Sequence, residues 1–500
     1  MSTRRDFMKR VGQSAAALSV TGMACAAPQS RKRPNILFAI ADDWSWPHAS
    51  IAGSKFVNTP SFDSVARNGV LFTNAFVTAP SCTPSRGSIV TGQWHWRLEE
   101  NIHLWSTLNP KFDTYPQMLE NSGYHVGCTG KGWGPGDWKK IGRPYNPAGK
   151  EYNEITCEVP YTGIRKTDYA ANFDAFLEER PDGAPICFWL GGSEPHRQYE
   201  KGSGLHAGKN VDDVDVPKCM PDVEEVRSDL LDYAVEVEWF DSHLGRVIAK
   251  LEEIGELDNT IIAVTGDNGL PFPGCKSNLY DWGTHVPLAV QFGAQVSGGR
   301  TVEDFMSLSD LAPTFLEVAG VEVPSAMTGR SFLEMLQSGK RGRIDPQREH
   351  VLTGKERHTP AQEDLKSGYP CRAIRTHDYL YIRNFEPGLW PAGYEGHPYN
   401  DWMDIDNSPA KTYMMDHRND PNVRESFAHS FGMRPAEEFY DLRKDPQQMH
   451  NVSDDPAYTA EMKKLSETMM AELRATGDPR VLGCGDQLKE YPYLGRAKKR

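Results

Sequence analysis

The chain has 500 residues, a formal net charge of −13, and 39% hydrophobic, 10% aromatic and 25% charged residues. That length is too great for one small core and accommodates a large α/β domain with a smaller one beside it. The acidic balance argues against a nucleic-acid binder, which needs a basic surface, but leaves room for an anionic substrate held by a local cluster of cations.

At the N-terminus, Arg4 and Arg5 precede Phe7 and a short, weakly apolar run from Val11 to Ala27, with the small residues Ala24, Cys25 and Ala26 near its end. The run is shorter than the ~20 apolar residues of a spanning helix. Residues 1–27 therefore read as a twin-arginine signal with a cleavage site, and the mature protein is expected in the periplasm or secreted. No later segment is long and apolar enough to cross a membrane, so no stable membrane insertion is expected.

Three continuous apolar runs follow in chain order. Ile36 to Ala41 leads into Asp42 and Asp43; Ile186 to Leu190 leads through Gly191 and Gly192 into Glu194, Pro195, His196 and Arg197; Ile261 to Val264 leads into Asp267, Asn268 and Gly269. Apolar runs without alternation predict central parallel strands covered on both faces. Between them, Thr59, Pro60 and Ser61 open a helix that Gly69 closes. Residues 230–254 form an amphipathic helix through Tyr233, Val237, Phe240, Leu244, Val247 and Leu251, ending at Gly255. Residues 310–320 form another short helix, with Pro313 in its first turn. Strands alternating with helices predict a parallel, doubly wound sheet, whose ligands bind outside the carboxyl ends of the strands, where all three polar sets lie.

The character changes near Gly339. Residues 379–382 and 438–442 read as short strands and 456–476 as a helix, with a Gly-, Pro- and aromatic-rich stretch at 387–415 between them. The expected organisation is a catalytic domain at 34–340 and a smaller α+β subdomain at 341–500. In the aromatic stretch, Trp390, Tyr394, His397, Tyr399 and Trp402 read either as a platform for sugar rings or as ordinary interdomain packing. The basic end, 496–500, reads as a solvated tail.

The nine cysteines show no CxxC pair and no regular spacing, so neither a zinc module nor a dense disulfide framework is indicated. Asp42, Asp43, Asp267 and Asn268 bring carboxylate and amide oxygens to two strand ends with no paired His or Cys beside them, a donor set for a hard cation such as calcium or magnesium. Cys82 stands apart in APSCTPSRGSIVTG, in a polar run at the start of a helix.

Cys82, Thr83, Pro84, Ser85 and Arg86 form the C-x-P-x-R pattern, and here the chain resembles the type I, formylglycine-dependent sulfatases of the alkaline-phosphatase superfamily. The resemblance covers most of the chain: PNILFAIADD, SCTPSRGSIVTG, a Gly130-Lys131 element, the Glu194 to Arg197 element, TGDNG, and EFYDLRKDPQQMHNV at 438–452. DNGLPFPGCKSNLYDWGT at 267–284 is most similar to the sulfamidase (heparan N-sulfatase) branch.

The resemblance implies an alkaline-phosphatase-like mixed sheet and a sulfated carbohydrate as substrate. It also implies one calcium held by Asp42, Asp43, Asp267, Asn268 and residue 82, with Cys82 converted to 3-oxoalanine (formylglycine) by a maturation enzyme. A hydrated aldehyde offers one hydroxyl to attack sulfur and a second to expel sulfate. Arg86 would hold the diol. Lys131 would contact sulfate, His196 would protonate the departing oxygen or nitrogen, and Lys276 would supply a last positive contact where the sulfamidases carry arginine. One departure stands out. The family's lysine, any residue, histidine element reads Lys131-Gly132-Trp133, so the histidine that assists sulfate release is missing, and His95 and His285 are the candidates to replace it. Two other readings remain: a formylglycine-dependent phosphoester or phosphonate hydrolase, and a non-catalytic relative that binds sulfated glycans.

Overall fold

The computed structural model describes residues 32–495; the signal read at 1–27 and the basic end at 496–500 lie outside the described residues. A nine-stranded mixed sheet is built from β1 (Asn35–Ala41), β2 (Val70–Phe76), β3 (His125–Gly130), β4 (Lys150–Glu151), β5 (Ile186–Gly191), β6 (Thr260–Gly266), β7 (His285–Phe292), β8 (Arg300–Val302) and β9 (Met306–Ser307). Its order is β4-β3-β5-β1-β6-β7-β2-β8, with β9 also pairing β2.

The three apolar runs are neighbours. β1 lies between β5 and β6, parallel to both, with Ile36 opposite Cys187 and Ile261. Every residue of these three strands is buried, because helices cover both faces. β3 extends the parallel block beside β5. β7 runs antiparallel to both β6 and β2, so β2 again points the same way as β1. Five strands, β3, β5, β1, β6 and β2, therefore end at one edge of the sheet.

The helix expected at 230–254 starts earlier, at Glu224, and runs to Glu253. Its Tyr233, Val237, Phe240, Leu244, Val247 and Leu251 are all fully buried. Burying one such side chain contributes about 1.5–3 kcal/mol, so this stripe sets how the helix docks. Pro60–Asn68 and Leu311–Val318 are the other two expected helices; in the second, Pro313 does sit in the first turn, where its missing N–H has no partner to lose. Cys187 is buried as expected, and the eight cysteines among the described residues are unpaired.

A second, antiparallel sheet orders β10 (His350–Lys355), β11 (Cys371–Thr376), β12 (Tyr379–Asn384) and β13 (Glu437–Asp441). The helix Thr459–Ala475 covers one face, where Leu352, Ile374, Tyr381 and Phe439 meet Leu465, Met469 and Leu473. The other face, with Ala373, Leu380, Ile382 and Tyr440, packs on Leu279 and Tyr280. Strand alternation thus presses this small sheet against the segment that carries Lys276. Among the described residues, no helix is long and apolar enough to cross a membrane.

Candidate active site

Each element of the site leaves the same sheet edge. Asp42 and Asp43 follow β1, Asp267 and Asn268 follow β6, His196 lies five residues beyond β5, and Lys131 follows β3. β2 leads through Ser81 into the helix Cys82–Thr91, all ten residues of which are buried. Backbone bonds staple the edge: Asp42 N–H donates to Glu194 O (2.9 Å), Asp267 N–H to Ala41 O (3.1 Å) and Lys131 N–H to Gly191 O (2.7 Å). Gly130 turns the chain here at φ +67°, with Gly191 O 1.9 Å from where a Cβ would stand, so no other residue fits. Asp43 also has a left-handed backbone, φ 73°, a conformation that aspartate tolerates better than most residues and that turns its carboxylate to the centre.

Asp42, Asp43, Asp267 and Cys82 converge, their nearest donor atoms all within 4.8 Å of one another. The Cys82 thiol donates to Asp42 Oδ1 at 3.3 Å. Burial, then Asp267 and Asp42, push that thiol well above its ordinary range, so unmodified Cys82 stays protonated and is a poor nucleophile. Arg86 lies one helical turn on, fully buried. Its Nε donates to Asp267 Oδ2 (2.6 Å) and its Nη1 to the carbonyls of Lys131 (2.6 Å) and Gly132 (2.8 Å). Arg86 therefore locks the helix start, the Asp267 carboxylate and the Lys131 turn together.

Lys131 Nζ donates to Asp42 Oδ2 at 2.5 Å and Lys276 Nζ to Asp43 Oδ2 at 2.6 Å. Burial raises the Asp42 carboxyl, but Lys131, His196, Arg86 and Lys276 overcome it and hold the group far below the usual range. Asp43 goes the other way: burial and the adjacent Asp42 and Asp267 outweigh Lys276 and His196. A carboxyl resisting ionisation inside a cluster of acids marks a place made for extra positive charge. Asn268 Oδ1 is buried without a partner among the described residues while its Nδ2 donates to Asp43 Oδ1, an acceptor left over for a cation. Three carboxylates and an orphaned amide oxygen fit a hard, oxygen-seeking ion. Adding calcium to chelator-treated protein should therefore raise its melting temperature, by about 2.7 kcal/mol of stabilisation at a hundred times the Kd. Asp43→Asn should shrink that shift, and a melting temperature indifferent to both calcium and magnesium would count against the site.

His196 is 38% exposed at the side chain. Its Nδ1–H donates to Arg197 O at 2.6 Å, leaving Nε2 facing inward, 4.0 Å from Asp43 Oδ2. Arg197 forms two 2.8 Å bonds with Asp229 and lies over the Tyr199 and Phe272 rings, which fixes the turn bearing His196. All of the residues expected from the sequence, Asp42, Asp43, Cys82, Arg86, Lys131, His196, Asp267, Asn268 and Lys276, are thus brought together. Asp42, Cys82, Lys131, His196 and Lys276 line the floor of a cavity of about 900 Å3, walled by Trp105, Trp133, Arg165, His358 and Asp406, while Asp43, Arg86, Asp267 and Asn268 lie fully buried beneath it.

His95 and His285 do not line this cavity. His95 is buried edge-on against Trp96, and His285 bonds Thr73 O at 2.9 Å and stacks on Phe76. Two of the aromatic stretch's residues are packing: Trp402 is buried on Phe427 and Phe431, and His397 Nε2 bonds Pro360 O, while Trp390, Tyr394 and Tyr399 are half-buried. That stretch reaches the cavity through Met403 and Asp406. Asp406 lies 3.6 Å from Lys276, and burial notwithstanding, Lys276, His196, His358 and Arg197 hold its carboxyl at about 2. His358 and Asp406 carry no motif that sequence reading could have flagged; both reach the site only through long-range packing of the second sheet.

The sulfatase family's sequence profile matches residues 34–321, and that of the C-terminal part of N-sulphoglucosamine sulphohydrolase matches 275–390. The chain is 27% identical to N-sulphoglucosamine sulphohydrolase of Homo sapiens over 513 aligned positions, covering 95% of this chain and 96% of that protein. Among solved structures, it resembles one in complex with its substrate D-glucosamine-2-N,6-O-disulfate, with TM-score 0.63, 22% identity, and 90% of this chain and 99% of the other covered. A phosphonate monoester hydrolase of Agrobacterium radiobacter shares the fold at TM-score 0.62 and 19% identity, with 90% and 97% covered.

Proposed function

The chain belongs to the sulfatase family and is a sulfuric ester hydrolase, and on that footing we propose that it removes a sulfate ester or sulfamate from a carbohydrate, with N-sulfated glucosamine the first substrate to test. The observation that carries this reading is Cys82 at a helix start, ringed by Asp42, Asp43, Asp267 and Asn268 and overlooked by Lys131, Lys276 and His196 at the base of one cavity. Asp42, Asp43, Asp267, Asn268 and residue 82 would hold a calcium ion, which polarises sulfate oxygens and favours an ionised oxygen nucleophile. Formylglycine at position 82 supplies that nucleophile as a pair of hydroxyls on one carbon.

The protein's own groups do the rest. Lys131 and Lys276, which bond Asp42 and Asp43 here, would be free to turn their Nζ groups to sulfate oxygens when those carboxylates hold the ion. The helix begins at residue 82, so the free N–H groups of its first turn would face the same anion. Arg86 keeps Asp267 in place and cannot titrate away. His196, its Nδ1–H fixed on Arg197 O, carries the mobile proton at Nε2, where the departing oxygen or nitrogen can take it. The exposed Trp105 ring and the Asp406 carboxylate offer a sugar an apolar surface and a hydroxyl partner. The twin-arginine pair at Arg4 and Arg5 would export the chain; retention of an Arg4→Lys, Arg5→Lys double variant in the cytoplasm tests that.

The deciding experiment pairs mass spectrometry of the tryptic peptide holding residue 82 with assays on N-sulfoglucosamine, O-sulfated sugars, aryl sulfate, aryl phosphate and phenylphosphonate. An aldehyde at residue 82 and sulfate release from a sugar are expected. An unmodified thiol in active protein, or faster phosphonate turnover, would overturn the proposal.

A further inference from the structure

Sulfatase turnover, which rests on the proposed function, needs a base that frees sulfate, and the element that would carry it ends in Trp133. An indole has no basic nitrogen. Trp133 is also fixed as a structural residue. Its backbone N–H and carbonyl both bond the Asn146 side chain, and its ring packs in the apolar cluster with Ala148. His196 is already engaged at the departing group. Among the described residues, one other histidine lines the cavity, His358, three residues beyond β10.

His358 is 5% exposed. Its Nδ1 is 2.8 Å from the hydroxyl of Ser81, the residue that immediately precedes Cys82 at the start of its helix. Its Nε2 makes no hydrogen bond among the described residues. The neighbouring backbone is fixed: Thr359 donates through N–H (2.9 Å) and Oγ1 to Asp404 Oδ1, and Lys355 Nζ donates to Asp404 Oδ2 (2.9 Å) and to Ser277 O (3.0 Å). Ser277 in turn donates its N–H to Pro80 O (2.9 Å), closing the loop back to the helix start. A buried imidazole with one nitrogen tied beside residue 82 and the other unpartnered is equipped for proton transfer.

We propose that His358 is the catalytic base for sulfate release, taking the place of the histidine missing at Trp133. With Nδ1–H donated to Ser81 Oγ, Nε2 is the free acceptor. The hydroxyl at residue 82 that does not carry sulfate gives its proton to Nε2. Its oxygen lone pair closes the aldehyde C=O, and the carbon–oxygen bond to sulfate breaks, sulfate leaving with that electron pair. The imidazolium then returns its proton to solvent.

His358→Asn tests this, because asparagine can still bond Ser81 but offers no basic nitrogen; His358→Gln is the second variant should the first fold poorly. Rapid-quench assays would use 4-nitrophenyl sulfate or N-sulfoglucosamine, whichever the wild-type chain turns over. In the variant, one equivalent of desulfated product should appear in a burst, followed by sulfate release slowed roughly 10²–10⁴-fold. The quenched peptide holding residue 82 should then be heavier by one SO3. Unchanged sulfate release, or product and sulfate slowed together with no burst and no SO3 on the peptide, would overturn the assignment. A wild-type chain that releases no sulfate from any substrate would instead sink the proposed function on which this rests.

Discussion

Cys82→Ala is expected to abolish turnover while leaving the fold in place. Loss of a covalent nucleophile costs roughly 10⁴–10⁶ in kcat. The stability effect should be small, because Asp42 loses only a thiol donor and keeps Lys131 at 2.5 Å. Cys82→Ser should be equally inactive over many turnovers, since one hydroxyl can attack but no second stands on the same carbon to expel sulfate. Sulfate release and thermal melting on the same preparations separate the two effects. Measurable multiple turnover by Cys82→Ala would move the chemistry away from this residue altogether.

Arg86→Ala should be the most damaging single change to stability near the site. Arg86 is fully buried and supplies Asp267 with a 2.6 Å ion pair, while tying down two carbonyls of the Lys131 turn. Removing one partner of a buried pair leaves an uncompensated charge and costs about 3–5 kcal/mol. A bound cation would share the Asp267 charge, so the loss should be larger in chelator than in calcium. Denaturant midpoints under both conditions measure this. Equal losses in the two would mean that Asp267 does not face the ion.

Much of the site could be read along the chain because its parts are local. A strand buried on both faces is a continuous apolar run, and polar residues just past its end must lie at the sheet edge. This held for Asp42 and Asp43 after β1 and for Asp267 and Asn268 after β6. The amphipathic stripe from Tyr233 to Leu251 likewise marked a helix, although its start at Glu224 precedes the stripe: the first turns are acidic and carry little apolar signal. The antiparallel β7 could not be read, because its buried run HVPLAVQF looks the same in either direction.

The residues that meet the cavity from the second sheet were hidden for a related reason. His358 and Asp406 lie more than half the chain beyond Cys82, with no spacing rule linking them to it. Their place follows from β10 to β13 burying both faces, one under the helix Thr459–Ala475 and the other on Leu279 and Tyr280. Conversely, Trp402 in the aromatic stretch looked suited to a sugar, but its apolar area is used in packing on Phe427 and Phe431.

Residue chemistry and short-range order thus reside in the linear chain: which side chains can ligate, attack or carry charge, and which strand ends present them, depend on neighbours a few positions away. Folding alone settled which distant groups share the cavity and which histidine stands beside residue 82, because burial of apolar area has no direction and does not reveal its partner until the surfaces meet.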